Sequence, residues 1–498
     1  MDTNTGAGTA QPGGQGIKTE LREGAVGLPG ILMQGIATIA PAFAILASFV
    51  FITTFAGVNT PWAYVFGGAL LAVQALSAAQ LAKAFPSAGG WYTWIARALH
   101  PRAGFFAGTF FSVWLPPVGA LTLSLLGATV LEPALKDQYG WHIPYQIWPI
   151  LGLALVAWWA YAGIVLSERL LIITGLIEIA IMVVLAITSL ASPGPGGFSF
   201  APLNPGNFHL APNLFLGVVF SIFAFSGWES VGPMAEESKN PRRNVPIGLV
   251  GSVIILMAYF AFVTWGYLVG FGVSRASEIS FDIPFPVTTV AERVWGDAWV
   301  LLLFALLNSA IAVTIACFNG GTRTWYGMAR SGVLPAGLAK VAPTRKTPDN
   351  AITLELGVNV LAFALVLLFG AENTFFTWAN MITLALIFMY ALANIGVIRY
   401  YRTEARSQFN PMLHVVAPLV ATIAGIFVVW KSYFSPNLDN FWSFGLPKPF
   451  TGPVAWGLLC FLVLVVITVI ILIILKVRGR EDWLQKAQLV FEESGGGH

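Results

Sequence analysis

Apolar runs long enough to cross a lipid bilayer recur along this 498-residue chain and constrain its fold more than any other feature. A helix needs about 20 apolar residues to span the hydrocarbon core. Because no water there can satisfy the backbone, only helices and closed barrels span it. Twelve runs approach or meet that length, near residues 27–56, 62–84, 103–133, 147–166, 168–191, 213–235, 245–271, 297–328, 351–371, 374–398, 412–430 and 453–476. The sequence therefore predicts an all-α integral membrane protein with twelve transmembrane helices.

Composition excludes several other classes of protein. Charged residues make up only 10% of the chain, whereas a soluble domain carries about a quarter. The two cysteines, Cys317 and Cys460, lie inside apolar runs, so the sequence offers neither a disulfide framework nor paired zinc-ligand spacing. The five histidines stand far apart, which disfavours the metal centre of a membrane enzyme. We expect no cofactor, no metal and no nucleic-acid partner.

Basic residues orient the predicted helices. Lys and Arg accumulate in cytoplasmic loops, and twelve spans put both termini on one side. With a cytoplasmic N-terminus, 21 of the 26 basic residues fall in inner segments. The outer segments hold Lys136, Arg275, Arg293, Lys431 and Lys448. We therefore expect a multi-pass plasma-membrane protein with both termini in the cytoplasm.

Two of the twelve runs contain helix breakers at similar depths. Pro41 lies midway along the first run, where it removes an amide donor and clashes with the preceding turn. Ser226-Gly227 interrupts the sixth run and is followed by Gly232-Pro233. A packing kink explains either break alone equally well. Two breaks five spans apart are instead typical of inverted repeats that hold a transporter's site at mid-membrane.

The repeat divides the chain into five regions. They are 1–24, a disordered cytoplasmic N-terminus; 25–200, the first five-helix repeat; 201–401, the second, inverted repeat; 402–476, spans 11 and 12; and 477–498, a cytoplasmic C-terminus. The N-terminal segment lacks the basic start and apolar core of a signal peptide. The final Ser-Gly-Gly-Gly-His is equally compatible with a native tail and an expression remnant.

Three stretches of the chain resemble the amino acid–polyamine–organocation (APC) superfamily of permeases. They are "FPSAGGWYTWIARALHPRAGFFAG" (Phe85–Gly108), "GWESVGPMAEESKNPRRNVP" (Gly227–Pro246) and "RTWYGMARSGVLPAGLAKV" with the following "TPDNA" (Arg323–Ala351). The resemblance implies a five-plus-five inverted-repeat fold like that of the bacterial leucine transporter. It also implies alternating access, with a substrate held between spans 1, 3, 6 and 8.

Carried onto this sequence, the resemblance places the substrate at both breaks and in span three. The implied binding residues are Thr38, Ile39, Ala40, Pro41 and Ala42 at the first break; Phe223, Ala224, Phe225, Ser226, Gly227 and Trp228 at the second; and Phe111 and Trp114 in span three. Phe223 would cover the substrate from outside, and the aromatic rings could attract a cation.

One departure from the family pattern bears on the substrate. Many relatives have Gly-x-Gly at the first break, where this chain has Ile39-Ala40-Pro41, and Pro41 has no amide donor. We expect free amides at Ile39, Ala40 and Ala42 to attract an anion. Carbonyls near Phe223 and Ala224 would favour a cation.

Three carboxylates fall within predicted spans, and an intramembrane acid is a functional hypothesis by default. Glu178 lies ten residues beyond Glu168, or about 15 Å into the membrane. It is predicted to couple transport to protons, with a structural hydrogen bond as the alternative. Glu229, next to the second break, is equally open to a coupling and a structural role. Glu355 begins span nine from the cytoplasm and is expected to lie at the membrane boundary or to snorkel toward it.

Two further polar groups have candidate roles. Asn308, Ser309 and Thr314 could supply oxygens to a sodium ion, although such hydroxyls usually bond the preceding helical turn. A mixed-charge cluster is predicted to form an inner gate by pairing with Arg330 or Arg97. Its members are Glu236, Glu237, Lys239, Arg242 and Arg243.

These observations predict a secondary active transporter for a small amino acid, working by proton symport or by exchange. An amine or polyamine carrier on the same fold is the alternative. An ion channel is a distant one, because no ring-forming selectivity stretch is visible. The expected partners are the small-molecule substrate, protons and the lipid bilayer, for a monomer or homodimer. No enzymatic activity is expected.

Overall fold

The computed structural model describes residues 21–279, 286–434, 453–479 and 482–484. Among these residues there are helices and loops but no strand, and Val26 forms an isolated bridge with Ser238. Most of the predicted disordered N-terminus and cytoplasmic C-terminus, together with Lys448, lies outside the described residues.

The α-helices follow one another along the whole described chain. They are α1 Leu28–Ile39, α2 Pro41–Ala56, α3 Thr60–Ala84, α4 Trp91–Ala98, α5 Pro101–Trp114, α6 Val118–Leu126, α7 Glu132–Tyr139, α8 Ile147–Ala162, α9 Ile164–Ala191, α10 Leu214–Ala224, α11 Pro241–Phe271, α12 Pro286–Trp295, α13 Val300–Arg330, α14 Asp349–Phe369, α15 Ala371–Thr403, α16 Ala417–Phe434 and α17 Pro453–Val477. A ten-residue 3₁₀ helix, Trp228–Glu237, follows α10.

Ten helical segments in the described ranges are long and apolar enough to cross a membrane. The first, Leu28–Ala84, contains α1, α2 and α3, and Ile147–Ala162 is apolar but shorter than the ten. Large apolar side chains stand exposed on the outer helices, such as Leu361 of α14 and Ile473 of α17. The all-α membrane class predicted from the sequence is confirmed.

The first predicted break separates α1 from α2. Pro41 disfavours the α conformation for the residue before it, and Ala40 adopts a left-handed one with φ 57° and ψ 73°. Pro41 then occupies the first position of α2, where its missing amide donor leaves no helical hydrogen bond unmade.

The second predicted break separates α10 from the 3₁₀ helix. Gly227 adopts φ 139°, a region open to glycine and strained for other residues. A Cβ atom at Gly227 would lie 2.5 Å from the carbonyl carbon of Thr38 and 2.6 Å from the amide nitrogen of Ile39. The glycine therefore allows the two broken helices to touch at their interruptions.

The predicted run 103–133 is also interrupted, which the sequence analysis did not anticipate. Helix α5 ends at Trp114 and α6 begins at Val118. Pro116 and Pro117 lie between them, and each removes a backbone donor.

The interrupted helices lie at the centre of the molecule. Helix α1 packs against α9, α11, α13 and the 3₁₀ helix, while α2 packs against α10. Helices α16 and α17 pack on α15 at the periphery. This arrangement brings both breaks, α6, α13 and α15 around one interior space.

Candidate functional site

A cavity of about 60 Å³ lies where the two breaks meet. The residues that line it come from seven helices, from the break between α1 and α2, and from the turn after α10: Thr38, Ile39, Ala40, Phe43, Ala44, Ala47, Trp114, Val118, Thr122, Phe223, Ala224, Ser226, Val313, Cys317, Phe375, Trp378 and Ile382. None of these is Asp, Glu, Lys, Arg or His. The cavity is therefore apolar, with hydroxyl groups at Thr38, Thr122 and Ser226.

The cavity brings together part of the predicted substrate-binding set. The members that line it are Thr38, Ile39, Ala40, Trp114, Phe223, Ala224 and Ser226. The members that lie outside the lining are Pro41, Ala42, Phe111, Phe225, Gly227 and Trp228. Phe111 supports Trp114 edge-on, with ring centroids 5.3 Å apart. Trp228 is fully buried against Trp91 and Tyr390, each with a centroid distance of 5.6 Å.

Helix α15 supplies a wall that the sequence analysis did not assign to the site. Phe375, Trp378 and Ile382 line the cavity from this helix. The Phe375 ring lies 5.7 Å from that of Phe43 and 6.5 Å from that of Phe223. These three aromatic rings form one connected part of the cavity wall. The sequence of α15 shows only an apolar helix, and its place at the cavity follows from how the helices pack.

The amides at the first break are already engaged. The Ala40 amide donates to the carbonyls of Ile36 and Ala37, 3.1 Å from each. The Ala42 amide donates to Oε1 of Glu178 at 3.2 Å. The expectation of free amides at Ala40 and Ala42 is therefore wrong for this conformation, because α1 closes its last turn and a carboxylate caps α2.

Glu178 of α9 sits at the N-terminus of α2 and is completely buried. Its Oε1 also accepts from the Ser309 hydroxyl at 2.9 Å, and its Oε2 from the Asn308 side-chain amide at 3.4 Å. The Ser309 oxygen in turn accepts from the Phe43 amide at 3.2 Å. The N-terminal amides of α2 and its helix dipole favour a negative charge at this position.

The sodium-ligand candidates separate in the structure. Asn308 and Ser309 lie together at Glu178, whereas the Thr314 hydroxyl donates to Ala310 in its own preceding turn at 2.7 Å. Within the described ranges, no three His, Cys, Asp or Glu side chains lie close enough together to hold a metal ion.

Glu229 caps the second break as Glu178 caps the first. Its Oε2 accepts from the Gly227 amide at 2.7 Å, and its backbone carbonyl accepts from the Trp91 indole at 3.0 Å. Its Oε1 is buried and has no hydrogen-bond partner among the described residues. Each interrupted helix thus resumes at a buried carboxylate.

Polar side chains fasten the broken helices to each other beside the cavity. The hydroxyls of Thr38 and Ser230 are 2.7 Å apart and join α1 to the 3₁₀ helix. The Gln34 side chain donates to the Ala316 carbonyl of α13 at 2.7 Å. The three elements therefore share one hydrogen-bond network.

Ion pairs involve the last two residues of the 3₁₀ helix, Glu236 and Glu237. Glu236 pairs with Arg330 at 2.7 Å, which confirms Arg330 as a partner of the predicted cluster. Arg97 pairs instead with Glu404 at 3.1 Å. Lys239, Arg242 and Arg243 are exposed.

The most buried ion pair among the described residues was not predicted from the sequence. Arg323 of α13 donates to Glu237 from Nε at 2.8 Å and from Nη2 at 3.3 Å. Both side chains are at most 3% exposed. Its signal in the sequence was an arginine inside an otherwise apolar run, which deserved the weight that was given to the intramembrane acids.

Glu355 is buried inside the protein, so its side chain does not snorkel toward the surface; its place at the membrane boundary stays a prediction. It sits on the second turn of α14, is 0% exposed, and packs against the backbone of α13 at Gly321. Its packing against α13 accounts for its burial.

The sequence model of the amino acid permease family matches residues 34–472. Among curated proteins, the chain is 24% identical over 400 residues to the branched-chain amino acid permease BcaP of Lactococcus lactis, covering 76% of this chain and 82% of that protein. It is 24% identical over 400 residues to the glutamate/serine transporter AimA of Bacillus subtilis, covering 74% and 70%. It is also 28% identical over 281 residues to cationic amino acid transporter 1 of Arabidopsis thaliana, covering 56% and 45%.

Proposed function

This chain belongs to the amino acid permease family, and from that premise we propose that it is a secondary active transporter for a small, neutral amino acid. The observation that carries the proposal is the apolar cavity at the meeting point of two interrupted helices, without an ionisable Asp, Glu, Lys, Arg or His in its lining. By alternating access, the protein would expose this cavity to each side of the plasma membrane in turn.

The proposed architecture has twelve spans in a five-plus-five inverted repeat. Helices α1 and α2 together form span one, and α10 with the 3₁₀ helix forms span six. The regions 25–200 and 201–401 are then the two repeats, 402–476 adds two spans, and both termini are cytoplasmic. Contact between the two breaks at Gly227 and Thr38 supports this assignment, because the inverted halves would cross there.

The lining of the cavity supports a neutral substrate. A polyamine carries a positive charge at each end, and no lining carboxylate is available to pair with either. The names of the relatives specify branched-chain amino acids, glutamate and serine, and cationic amino acids, so the names alone do not identify the substrate. The aromatic and aliphatic walls favour an aliphatic side chain. The cavity volume of about 60 Å³ is several times the minimum of about 10–15 Å³ that admits one water, which suits a small solute.

The position of Glu178 suggests how a proton would be coupled to the substrate. The N-terminus of α2 attracts one anion, and in this conformation the Glu178 carboxylate occupies it. A protonated Glu178 would bind the Ala42 amide less strongly and release it to the substrate carboxylate. The substrate ammonium would lie near the C-terminal carbonyls of α10. One proton would then accompany each amino acid; exchange without a gradient uses the same site.

Uptake into proteoliposomes tests the proposal. The probes are radiolabelled L-leucine, L-alanine, L-arginine, L-glutamate and putrescine, each with and without an imposed pH gradient. We expect saturable uptake of leucine or alanine that internal unlabelled substrate stimulates. Phe223→Ala should reduce it, whereas Phe369→Ala, the same truncation on an exposed lipid-facing residue, should not. Putrescine uptake alone would favour the amine carrier, and ohmic single-channel current would favour a pore.

A further inference from the structure

Glu355 is a buried carboxyl group outside the cavity, and the transport scheme above does not use it. Neither Oε1 nor Oε2 has a hydrogen-bond partner among the described residues, and the side chain is completely buried. Its own helix neighbour Asn359 bonds the Glu355 backbone carbonyl and the Ala120 amide, not the carboxyl group. The carboxyl group is therefore held by packing alone.

The backbone of α13 forms the cradle for this carboxyl group. A Cβ atom added at Gly321 would lie 2.6 Å from Oε2 and 3.0 Å from Oε1. Any side chain at Gly321 would therefore push Glu355 away from α13. The glycine brings the carboxyl group next to the helix that carries Arg323, two residues further along.

The ionisable groups around Glu355 are few. Those that act on it electrostatically are Arg323 and Cys317, both on α13. The other elements packed against α14 contribute little. Helix α6 and the 3₁₀ helix Ala336–Ala339 carry no ionisable side chain. Tyr161 of α8 is hydrogen-bonded to Thr353, and Asp349 of α14 itself pairs with Arg345. Glu372 of α15 is exposed at the opposite end of α14.

The local charges balance without Glu355. Arg323 and Glu237 form a buried bidentate pair and neutralise each other. An ionised Glu355 would add an unpaired negative charge with no hydrogen bond, and burying such a charge is strongly unfavourable. A neutral carboxyl group avoids most of that penalty. In this conformation, the environment therefore calls for a proton on Glu355.

We propose that Glu355 is a proton-binding site that gives up its proton in exchange for Arg323 when the Arg323–Glu237 ion pair opens. On opening, the guanidinium leaves Glu237 and pairs with the Glu355 carboxylate, while the proton passes to water that enters between α13 and the 3₁₀ helix. On closing, Arg323 returns to Glu237 and Glu355 takes a proton from that water. The opening step rests on the proposed transport function; the proton on Glu355 in the closed state does not.

Infrared spectroscopy of the full chain in lipid tests this without requiring transport. The readout is the carbonyl stretching band of protonated carboxylic acids, identified by its shift in D₂O at neutral pH. We expect Glu355→Gln to remove one component of this band. Glu372→Gln makes the same change at an exposed carboxylate and should leave the band intact. A band that Glu355→Gln leaves unchanged would overturn the proton-binding site.

A second variant tests the exchange with Arg323. Glu237→Gln removes the partner of Arg323 and leaves Glu355 in place, so Arg323 should pair with Glu355 and the same band component should disappear. Persistence of the component in Glu237→Gln would overturn the exchange. Glu355→Asp keeps an acid and should keep a shifted component, which tests the assignment if Glu355→Gln folds poorly.

The infrared and uptake results separate the two proposals. If Glu355→Gln and Glu237→Gln both lose the band component, but the protein takes up none of the probes, the proton site is retained and the transport assignment is removed. If the protein takes up leucine but Glu355→Gln leaves the band unchanged, the transport assignment is retained and the proton site is removed.

Discussion

Glu178 illustrates how one side chain can serve both structure and coupling. Its carboxylate accepts hydrogen bonds from Ala42, Ser309 and Asn308, which belong to two different helices. The structural hydrogen bonds considered as an alternative to coupling are present, and they do not exclude a coupling role. Because these hydrogen bonds join α2 to α13, gain or loss of a proton on Glu178 would change how strongly the two helices are held together.

Replacing Glu178 with Gln separates these roles. The amide oxygen can still accept from Ala42 and Ser309, so the fold and exchange should survive, whereas the proton-binding group is lost. We expect uptake driven by a pH gradient to fall to the level seen without a gradient, while counterflow of unlabelled against labelled leucine continues. Both are measured in proteoliposomes.

The control for this variant is Glu372→Gln, a carboxyl-to-amide change on an exposed residue, which should respond to the gradient as the unmodified protein does. If Glu178→Gln still accumulates substrate in response to the gradient, Glu178 is not the coupling residue.

Sequence reasoning at this scale located the acids inside the apolar runs but not their hydrogen-bond partners. Glu178 and Glu229 stand out because a carboxylate in an apolar run is rare. Ala42 lies 136 residues and Ser309 131 residues from Glu178, so no local pattern links them. Arg323 lies inside the predicted run 297–328 and carried the same kind of signal as the acids, but its partner Glu237 is 86 residues away and no local pattern links the two.

At the scale of the helix, breakers with a local cause were predictable. Pro41 ends α1 through its own ring, and Gly227 supplies a conformation that other residues avoid. The same reasoning applies to Pro116-Pro117, whose effect on span three was not anticipated. The share of α15 in the cavity was beyond such reasoning, because packing and not local sequence brings Phe375 and Trp378 to it.

Gly227→Ala is predicted to disrupt the second break. A non-glycine residue in a sparsely populated backbone region costs about 1–3 kcal/mol, and the new methyl would also collide with the backbone of Thr38. We expect a lower thermal unfolding temperature for the detergent-solubilised protein and a loss of leucine uptake.

Gly357→Ala provides the matched control on α14. A Cβ atom there meets nothing within 4 Å, and alanine is favoured over glycine in a helix by about 1 kcal/mol. This variant should be as stable as the original or slightly more so. Equal stability and uptake for the two variants would contradict a required interruption at Gly227.

At the scale of the whole molecule, the cavity and the ion pairs lie at different depths. The cavity is built around the breaks, whereas Glu237 lies ten residues beyond Gly227, or about 20 Å along a 3₁₀ helix. Trp91, Trp228 and Tyr390 pack together, and Trp91 bonds the 3₁₀ helix at Glu229. These contacts and the ion pairs lie on the side on which α1 begins, which is the cytoplasmic side in the proposed orientation, and we propose that they keep that side closed.

Removing Arg330 should weaken this closure. Arg330 joins α13 to Glu236, whose other oxygen accepts from the Ala88 amide, so the pair fastens three elements. The two side chains are only partly exposed, and the loss of such a pair is worth about 1 kcal/mol, or roughly a fivefold shift toward the open state. We expect Arg330→Ala to raise the labelling rate of a buried reporter by that factor.

The reporter is Ser230→Cys, in a chain whose Cys317 and Cys460 are replaced by Ser, labelled from the cytoplasmic side with a membrane-impermeant thiol reagent. Ser230 is 0% exposed between α1 and the 3₁₀ helix, so labelling requires these elements to separate. Arg345→Ala serves as the control, because it removes an exposed i,i+4 pair with Asp349 that holds no two elements together. If the reporter is labelled no faster in Arg330→Ala than in Arg345→Ala, the Glu236–Arg330 pair does not keep this side closed. Faster labelling from the opposite side would instead show that the proposed orientation is reversed.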